Sequence, residues 1–62
     1  MLPYHVVVTD GMRDGKADDY GAYAIQWEAR AIADAINRAG AKHHITAEVW
    51  VTQIDGTRKR LQ

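Results

Sequence analysis

The chain has 62 residues, which allows one domain at most, and it contains no cysteine, so neither a disulfide nor a thiolate metal site can stabilise the fold. Its hydrophobic fraction of 47% and charged fraction of 26% are typical of a globular domain and exclude a disordered chain. The formal net charge of zero gives no overall attraction to nucleic acid, and no apolar run approaches the ~18 residues of a membrane span. We therefore expect residues 1–62 to form a single soluble domain with no membrane partner. Its expected location is the cytoplasm, or the host cytoplasm if a phage encodes it.

The first predicted strand covers residues 4–9. This stretch, YHVVVT, is rich in β-branched side chains and is bounded by Pro3 and by the turn-forming pair Asp10-Gly11. Residues 10–19 contain two Asp-Gly pairs and almost no apolar side chain. Such a composition indicates a solvated connection that reverses the chain.

Residues 20–26, YGAYAIQ, fit either a strand or a helix. One long helix from about Asp18 to Ala39 would give the order β-α-β-β, but it would expose three aromatic side chains and include Gly21 at a cost of about 1 kcal/mol. As a strand, the stretch forms a hairpin with the first strand and places Gly21 and Tyr23 on one face. We favour the strand, and the long helix is the alternative.

The clearest helix covers residues 27–40, WEARAIADAINRAG. Small and β-branched side chains recur at i, i+3, i+4 and i+7, which at about 100° per residue form one apolar stripe. The stripe consists of Ala29, Ile32, Ala33, Ile36 and Ala39. We expect Gly40 to end the helix in the left-handed conformation of a C-cap. A flat sheet can pack closely against so narrow a stripe.

Residues 44–54, HITAEVWVTQI, alternate between apolar and polar more regularly than any other stretch, which predicts a strand. The residues expected to face the helix are Ile45, Ala47, Val49 and Val51. Asp55-Gly56 predicts a two-residue hairpin turn, after which residues 57–61 either pair back as a short fourth strand or fray. In that register Leu61 lies opposite Trp50, and Lys59 lies opposite Thr52.

Together these elements predict the α+β class: one small two-layer β-β-α-β domain with a helix on an antiparallel or mixed sheet. The second face of the sheet stays uncovered and carries Trp50, Thr46 and Thr52. It also carries one of two sets of first-strand side chains. The two sets are Tyr4, Val6 and Val8, or His5, Val7 and Thr9.

A pattern of core residues runs through roughly residues 19 to 54 of the sequence. It consists of Gly21-x-Tyr23, Glu28-Ala29, Ala33, Gly40 and Val49-Trp50-Val51. The pattern resembles small ββαβ proteins of actinobacteria and their phages, and it is similar to half of a SPOR repeat, a peptidoglycan-binding module. The resemblance implies the same order of strands and helix. It concerns core positions, so no functional residue is transferred from it.

No motif in the sequence predicts catalysis, a cofactor or a metal. The glycine-rich stretch after the first strand lacks the spacing and the Ser or Thr of a phosphate-binding loop, and its aspartates miss the ligand positions of a calcium loop. The adjacent His43 and His44 would point to opposite sides of an extended chain. The chain has no serine, and no acid and base are paired by spacing. We expect a protein that is not an enzyme.

The uncovered sheet face predicts a binding function. An apolar face on so small a domain favours a protein-interaction or self-associating module, such as a homodimer, in an actinobacterial or phage accessory protein. The residues predicted to bind the partner are Trp50, Thr46, Thr52 and Leu61. The alternative is a site for single-stranded nucleic acid, in which bases stack on Trp50 and phosphates bind the basic run. That run is Arg58, Lys59 and Arg60.

Overall fold

Residues 2–62, which the computed structural model describes, form a four-stranded antiparallel sheet with one α-helix on one of its faces. The helix, α1, is Gln26–Gly40, and the strands lie in the order β2-β1-β3-β4. The strands are β1 (Tyr4–Asp10), β2 (Lys16–Tyr23), β3 (Ile45–Thr52) and β4 (Arg58–Arg60). The predicted α+β class is confirmed, with a paired fourth strand. The alternative with one helix from Asp18 to Ala39 is wrong, because β2 pairs with β1 along its length.

The hairpin between β1 and β2 exists, but β2 begins and ends earlier than predicted. The loop between the paired residues Asp10 and Lys16 has five residues: a 3-10 turn over Gly11–Arg13, then Asp14 and Gly15 with positive φ angles of 60° and 70°. The polar residues 16–19 therefore belong to a strand and not to a connection. Near its middle, β2 has a bulge: Gly21 lies opposite Val6 and Asp19 lies opposite Val7, which leaves Tyr20 as the extra residue.

The core lies between the helix and the two central strands. Ala29 and Ala33 of α1 are fully buried against Val6 of β1 and Val49 of β3. Ile32 and Ile36 flank this contact and are half-buried, as the predicted stripe requires. Ala39 was also predicted on the stripe, but it is exposed, and Gly40 takes the buried position at the end of the helix.

Gly40 does not adopt the left-handed conformation predicted for it. Its φ is −92°, and the left-handed residue is instead His44, with φ 59°, at the end of a short 3-10 turn over Ala41–His43. Glycine is required at position 40 for space, because a Cβ there would lie 2.7 Å from the Cβ of Ile45. The missing side chain lets the first residue of β3 pack directly on the end of the helix.

The turn between β3 and β4 contains three residues and not the predicted two. The N–H of Gly56 donates to the carbonyl of Gln53 at 2.9 Å, the N–H of Gln53 donates to the carbonyl of Thr57 at 2.7 Å, and Gly56 has a φ of 88°. This is a type I turn closed by a left-handed glycine, a common three-residue hairpin loop. The extra loop residue shifts the register of β4 by one position.

The shifted register changes the neighbours of Trp50. Arg60 lies opposite Trp50, and Arg58 lies opposite Thr52, so the predicted pairs Leu61–Trp50 and Lys59–Thr52 are wrong. Because side chains alternate between the two faces of a strand, a slip of one residue exchanges every side chain between faces.

The outer edge of β3 is closed beyond the end of β4. The side-chain amide of Asn37 takes the place of a neighbouring strand: its Nδ2 donates to the carbonyl of Ala47 at 3.1 Å, and its Oδ1 accepts from the N–H of Ala47 at 2.6 Å. The N–H of Leu61 donates to the carbonyl of Val49 at 2.7 Å. These contacts satisfy backbone groups that the three-residue β4 cannot reach.

We expect Gly40→Ala to lower the free energy of unfolding. The added Cβ overlaps Ile45, which costs ~1–3 kcal/mol, whereas the helix propensity of alanine returns at most about 1 kcal/mol. Urea denaturation measures the difference. The matched control is Ala39→Gly at the neighbouring exposed position, where propensity alone predicts a loss of about 1 kcal/mol. A Gly40→Ala protein more stable than wild type would contradict the packing role of this glycine.

The hairpin loop also predicts a pH effect at Asp55. Hydrogen bonds from the hydroxyl of Thr57 at 2.7 Å and then from its backbone N–H at 3.0 Å hold the pKa of this carboxyl below its ordinary value of 3.8. A lowered folded-state pKa means that the contribution to stability is complete above pH 3.8 and is lost as the pH falls through the folded-state value. Thr57→Val should raise the pKa of Asp55 in an NMR titration, and Thr57→Ser, which keeps the hydroxyl, should leave it near the wild-type value.

Candidate functional site

The candidate site is the sheet face opposite the helix, which no element of residues 2–62 covers. The strand register places the second of the two predicted first-strand sets on this face. We call it the open face, and its residues are His5, Val7, Thr9, Ala17, Asp19, Ala22, Thr46, Glu48, Trp50, Thr52, Arg58 and Arg60.

Trp50 lies near the centre of the open face. Its cross-strand neighbours are His5 on β1 and Arg60 on β4. The Nε2 of His5 forms a hydrogen bond of 3.0 Å with the hydroxyl of Thr52, which holds the imidazole beside the indole. Trp50, Val7 and Ala17 contribute the apolar lining of a shallow cleft of about 340 Å³. The cleft offers a partner an apolar surface beside the charged groups of Glu48 and Arg58.

Glu48 organises the polar side of the cleft. One carboxylate oxygen accepts a hydrogen bond from the indole N–H of Trp50 at 3.3 Å, and the other lies 3.0 Å from the guanidinium of Arg60. The two contacts fix the orientation of the indole and leave the Glu48 side chain about one quarter exposed. Glu48 and Arg60 are therefore a well-formed pair whose charges are already satisfied.

Arg58 is held much more loosely. It extends from β4 across the open face towards β2, where its guanidinium lies 3.7 Å from the carboxylate of Asp19. That distance is longer than the ~2.7–2.9 Å of a charge-assisted hydrogen bond. The two side chains are 45% and 56% exposed, so water screens their attraction. Arg58 also forms one wall of the cleft.

The charges on the open face are balanced. Among the described residues it carries two arginines, Arg58 and Arg60, and two carboxylates, Asp19 and Glu48. Lys59 lies opposite Val51, on the side of the sheet that faces the helix. The basic run is therefore divided between the two sides of the sheet, and the open face has no excess of positive charge.

The structure brings together most of the residues predicted to bind a partner. Trp50, Thr46 and Thr52 share the open face, whereas Leu61 lies past the end of β4 and is not opposite Trp50. Sequence reasoning missed Ala17 and Asp19, because it assigned residues 10–19 to a loop. No sequence signal identifies Asp19 as a residue of the open face. The edge strand β2 is exposed on both sides at this point, so it has no regular alternation of apolar and polar residues.

The described part of the chain shows no arrangement for metal chemistry. Within residues 2–62, no three His, Asp or Glu side chains lie close enough together to hold a metal ion. The same range contains no helix that is both long and apolar enough to span a bilayer.

No protein-family model, curated protein or solved structure matches this chain. The resemblance to small ββαβ proteins of actinobacteria and phages, and to half of a SPOR repeat, therefore stays a prediction.

Proposed function

We propose that this chain is a non-enzymatic protein-interaction module that binds another protein, or a second copy of itself, through the open face. The observation that supports this proposal is the half-buried indole of Trp50, which lies beside a cleft lined by Val7 and Ala17 and is surrounded by charges that cancel. An aromatic side chain within an apolar centre, with a polar rim, is the arrangement found at protein interfaces. A second protein would remove this surface from water.

The face is a better binding surface than the edges of the sheet. The edge strand β2 has the bulge at Tyr20 and carries Asp18 and Asp19, and β4 consists of three basic residues. Bulges, charges and short length are the features that prevent an edge strand from pairing with another chain. The outer edge of β3 is occupied by Asn37 and Leu61. We therefore place the interaction on the open face.

Stability gives a second reason to expect a partner. The fully buried side chains with more than one carbon are Val6 and Val49, and the rest of the buried core within residues 2–62 is alanine and glycine. Burying a valine contributes about 1.5–3 kcal/mol, so this core is small for its chain. Covering Trp50 and Val7 would add apolar burial on the second side of the sheet.

Single-stranded nucleic acid is the second candidate ligand. It is favoured by one observation: Arg58 and Arg60 lie on the same face as Trp50, so stacking and phosphate binding could occur together. Each guanidinium would first have to leave its carboxylate, and Lys59 could not contribute from the other side. The balanced charge of the face favours a protein partner.

We expect Trp50→Ala to weaken protein binding about thirtyfold or more without unfolding the domain. The indole is the largest side chain on the open face, and removing an aromatic anchor at an interface costs ~2 kcal/mol or more of binding energy. Sedimentation equilibrium from low micromolar to millimolar protein measures self-association, and affinity capture from the source cell, with wild-type and variant chains as bait, measures other partners. Circular dichroism verifies the fold.

The matched control is Trp27→Ala. Trp27 lies in the first turn of α1 and is 67% exposed, so its removal deletes an equally large aromatic side chain away from the open face. The control should associate as wild type does. Two results together would contradict the proposal. The wild-type chain would be monomeric at every concentration tested, and it would capture only proteins that the Trp50→Ala chain also captures.

The nucleic-acid alternative makes a separate prediction about salt. If Arg58 and Arg60 each neutralise one phosphate, the slope of log affinity against log salt should be near −1.4, since each contact with a single strand contributes about −0.7. Titration with mixed-sequence oligonucleotides should quench the fluorescence of Trp50. Arg58→Gln should flatten the slope, and Lys59→Gln should not change it. Unchanged fluorescence at high micromolar oligonucleotide would rule this alternative out.

A further inference from the structure

We infer that the partner of the open face is a second copy of this chain, and that docking exchanges the Arg58–Asp19 ion pair between the two copies. This inference rests on the proposed interaction through the open face. It adds the identity of the partner and the contact that selects it.

The two ion pairs of the open face differ in a way that singles out Arg58. The Arg60–Glu48 pair is short, at 3.0 Å, and Glu48 also binds the indole of Trp50. The Arg58–Asp19 pair is 0.7 Å longer and exposed at both ends. Arg58 forms one wall of the cleft and reaches Asp19 from there, so a partner seated on the open face contacts this guanidinium directly. Its displacement breaks only a weak contact and frees one positive and one negative charge.

Symmetry then provides each freed charge with a new partner. Arg58 is on β4 and Asp19 is on β2, the two outer strands of the sheet. A two-fold axis that lies in the interface, perpendicular to the line between these residues, places Arg58 over the partner's Asp19 and Asp19 over the partner's Arg58. Reciprocal contacts of this kind define an isologous dimer. Both charges would then be paired at the rim of a buried surface, where water screens them less.

Charge favours a second copy over a different protein. A face with two positive and two negative side chains is complementary to itself and has no net charge with which to select a strongly acidic or basic partner. A standard interface buries about 800 Å² on each partner. The accessible surface of the domain is 4462 Å², so an interface of that size takes about one fifth of it.

Charge reversal at the two positions tests this inference. In a homodimer, Arg58→Asp places the new carboxylate over the partner's Asp19, and Asp19→Arg places two guanidinium groups together. Each variant alone should therefore self-associate about tenfold or more weakly than wild type. A mixture of the two variants should form a heterodimer, because both of its cross-interface contacts join opposite charges. One contact joins the unchanged Arg58 and Asp19, and the other joins the two new side chains. Sedimentation equilibrium and native mass spectrometry distinguish the three dimers. A chain carrying both changes should dimerise as wild type does.

The outcomes separate this inference from the broader proposal. If the wild-type chain dimerises through Trp50 but the mixed variants form no heterodimer, the exchange is wrong and the open face still binds its partner in another way. If the wild-type chain is monomeric at millimolar concentration, a second copy is not the partner, and affinity capture with the Trp50→Ala control decides the broader proposal. If a charge-reversed chain fails to fold, Arg58→Gln and Asp19→Asn replace it. If both neutral variants dimerise as tightly as the wild-type chain, the exchange is wrong.

Discussion

The close approach of the helix to the sheet is the constraint on which the rest of this fold depends. The residues that α1 buries are Ala29, Ala33 and Gly40, so backbone and small side chains, and not long apolar ones, separate the two layers. At Gly40 the approach leaves no room for a Cβ, since that atom would lie 2.7 Å from Ile45. Valine and alanine on the central strands fill the remaining space. The domain thus obtains a dense core that contains little apolar volume.

A thin core on one side of the sheet makes the other side important. The open face keeps the large indole of Trp50 and the aliphatic Val7 outside the core, where no element of residues 2–62 covers them. Polar contacts hold the indole in place: Glu48 binds both the indole and Arg60, and His5, beside the indole, binds Thr52. A preorganised surface loses little conformational entropy when a partner docks. The same contacts surround the indole with polar groups, which lowers the cost of leaving this face exposed to water.

The elements with strong periodicity could be predicted from the sequence, and those defined by turns could not. The alternation in β3 correctly separated Val49 from Trp50, and the 3.6-residue period correctly placed Ala29 and Ala33 in the core. The start of β2 was missed because a polar edge strand has no apolar alternation. The conformation of Gly40 was missed because a glycine at the end of a helix fits either a left-handed φ or a close contact with another element, and the sequence does not distinguish the two. Of the predicted partner-binding residues, only the position of Leu61 depended on a turn, and that position was wrong.

The length of the β3–β4 loop, more than the number of basic residues in the chain, determines the charge of the open face. A two-residue turn at Asp55-Gly56 would have placed Lys59 and Leu61 on the side of Trp50, and together with Asp19 and Glu48 the face would have carried a net negative charge. The three-residue turn moves β4 by one position and brings Arg58 and Arg60 to this side instead. The face becomes electrically neutral, with two arginines on the outer strand β4, one carboxylate on the outer strand β2 and one on β3. The hydrogen bonds of Thr57 to Asp55 stabilise this turn, so a local interaction in an exposed loop determines the charge pattern of a surface that extends across all four strands.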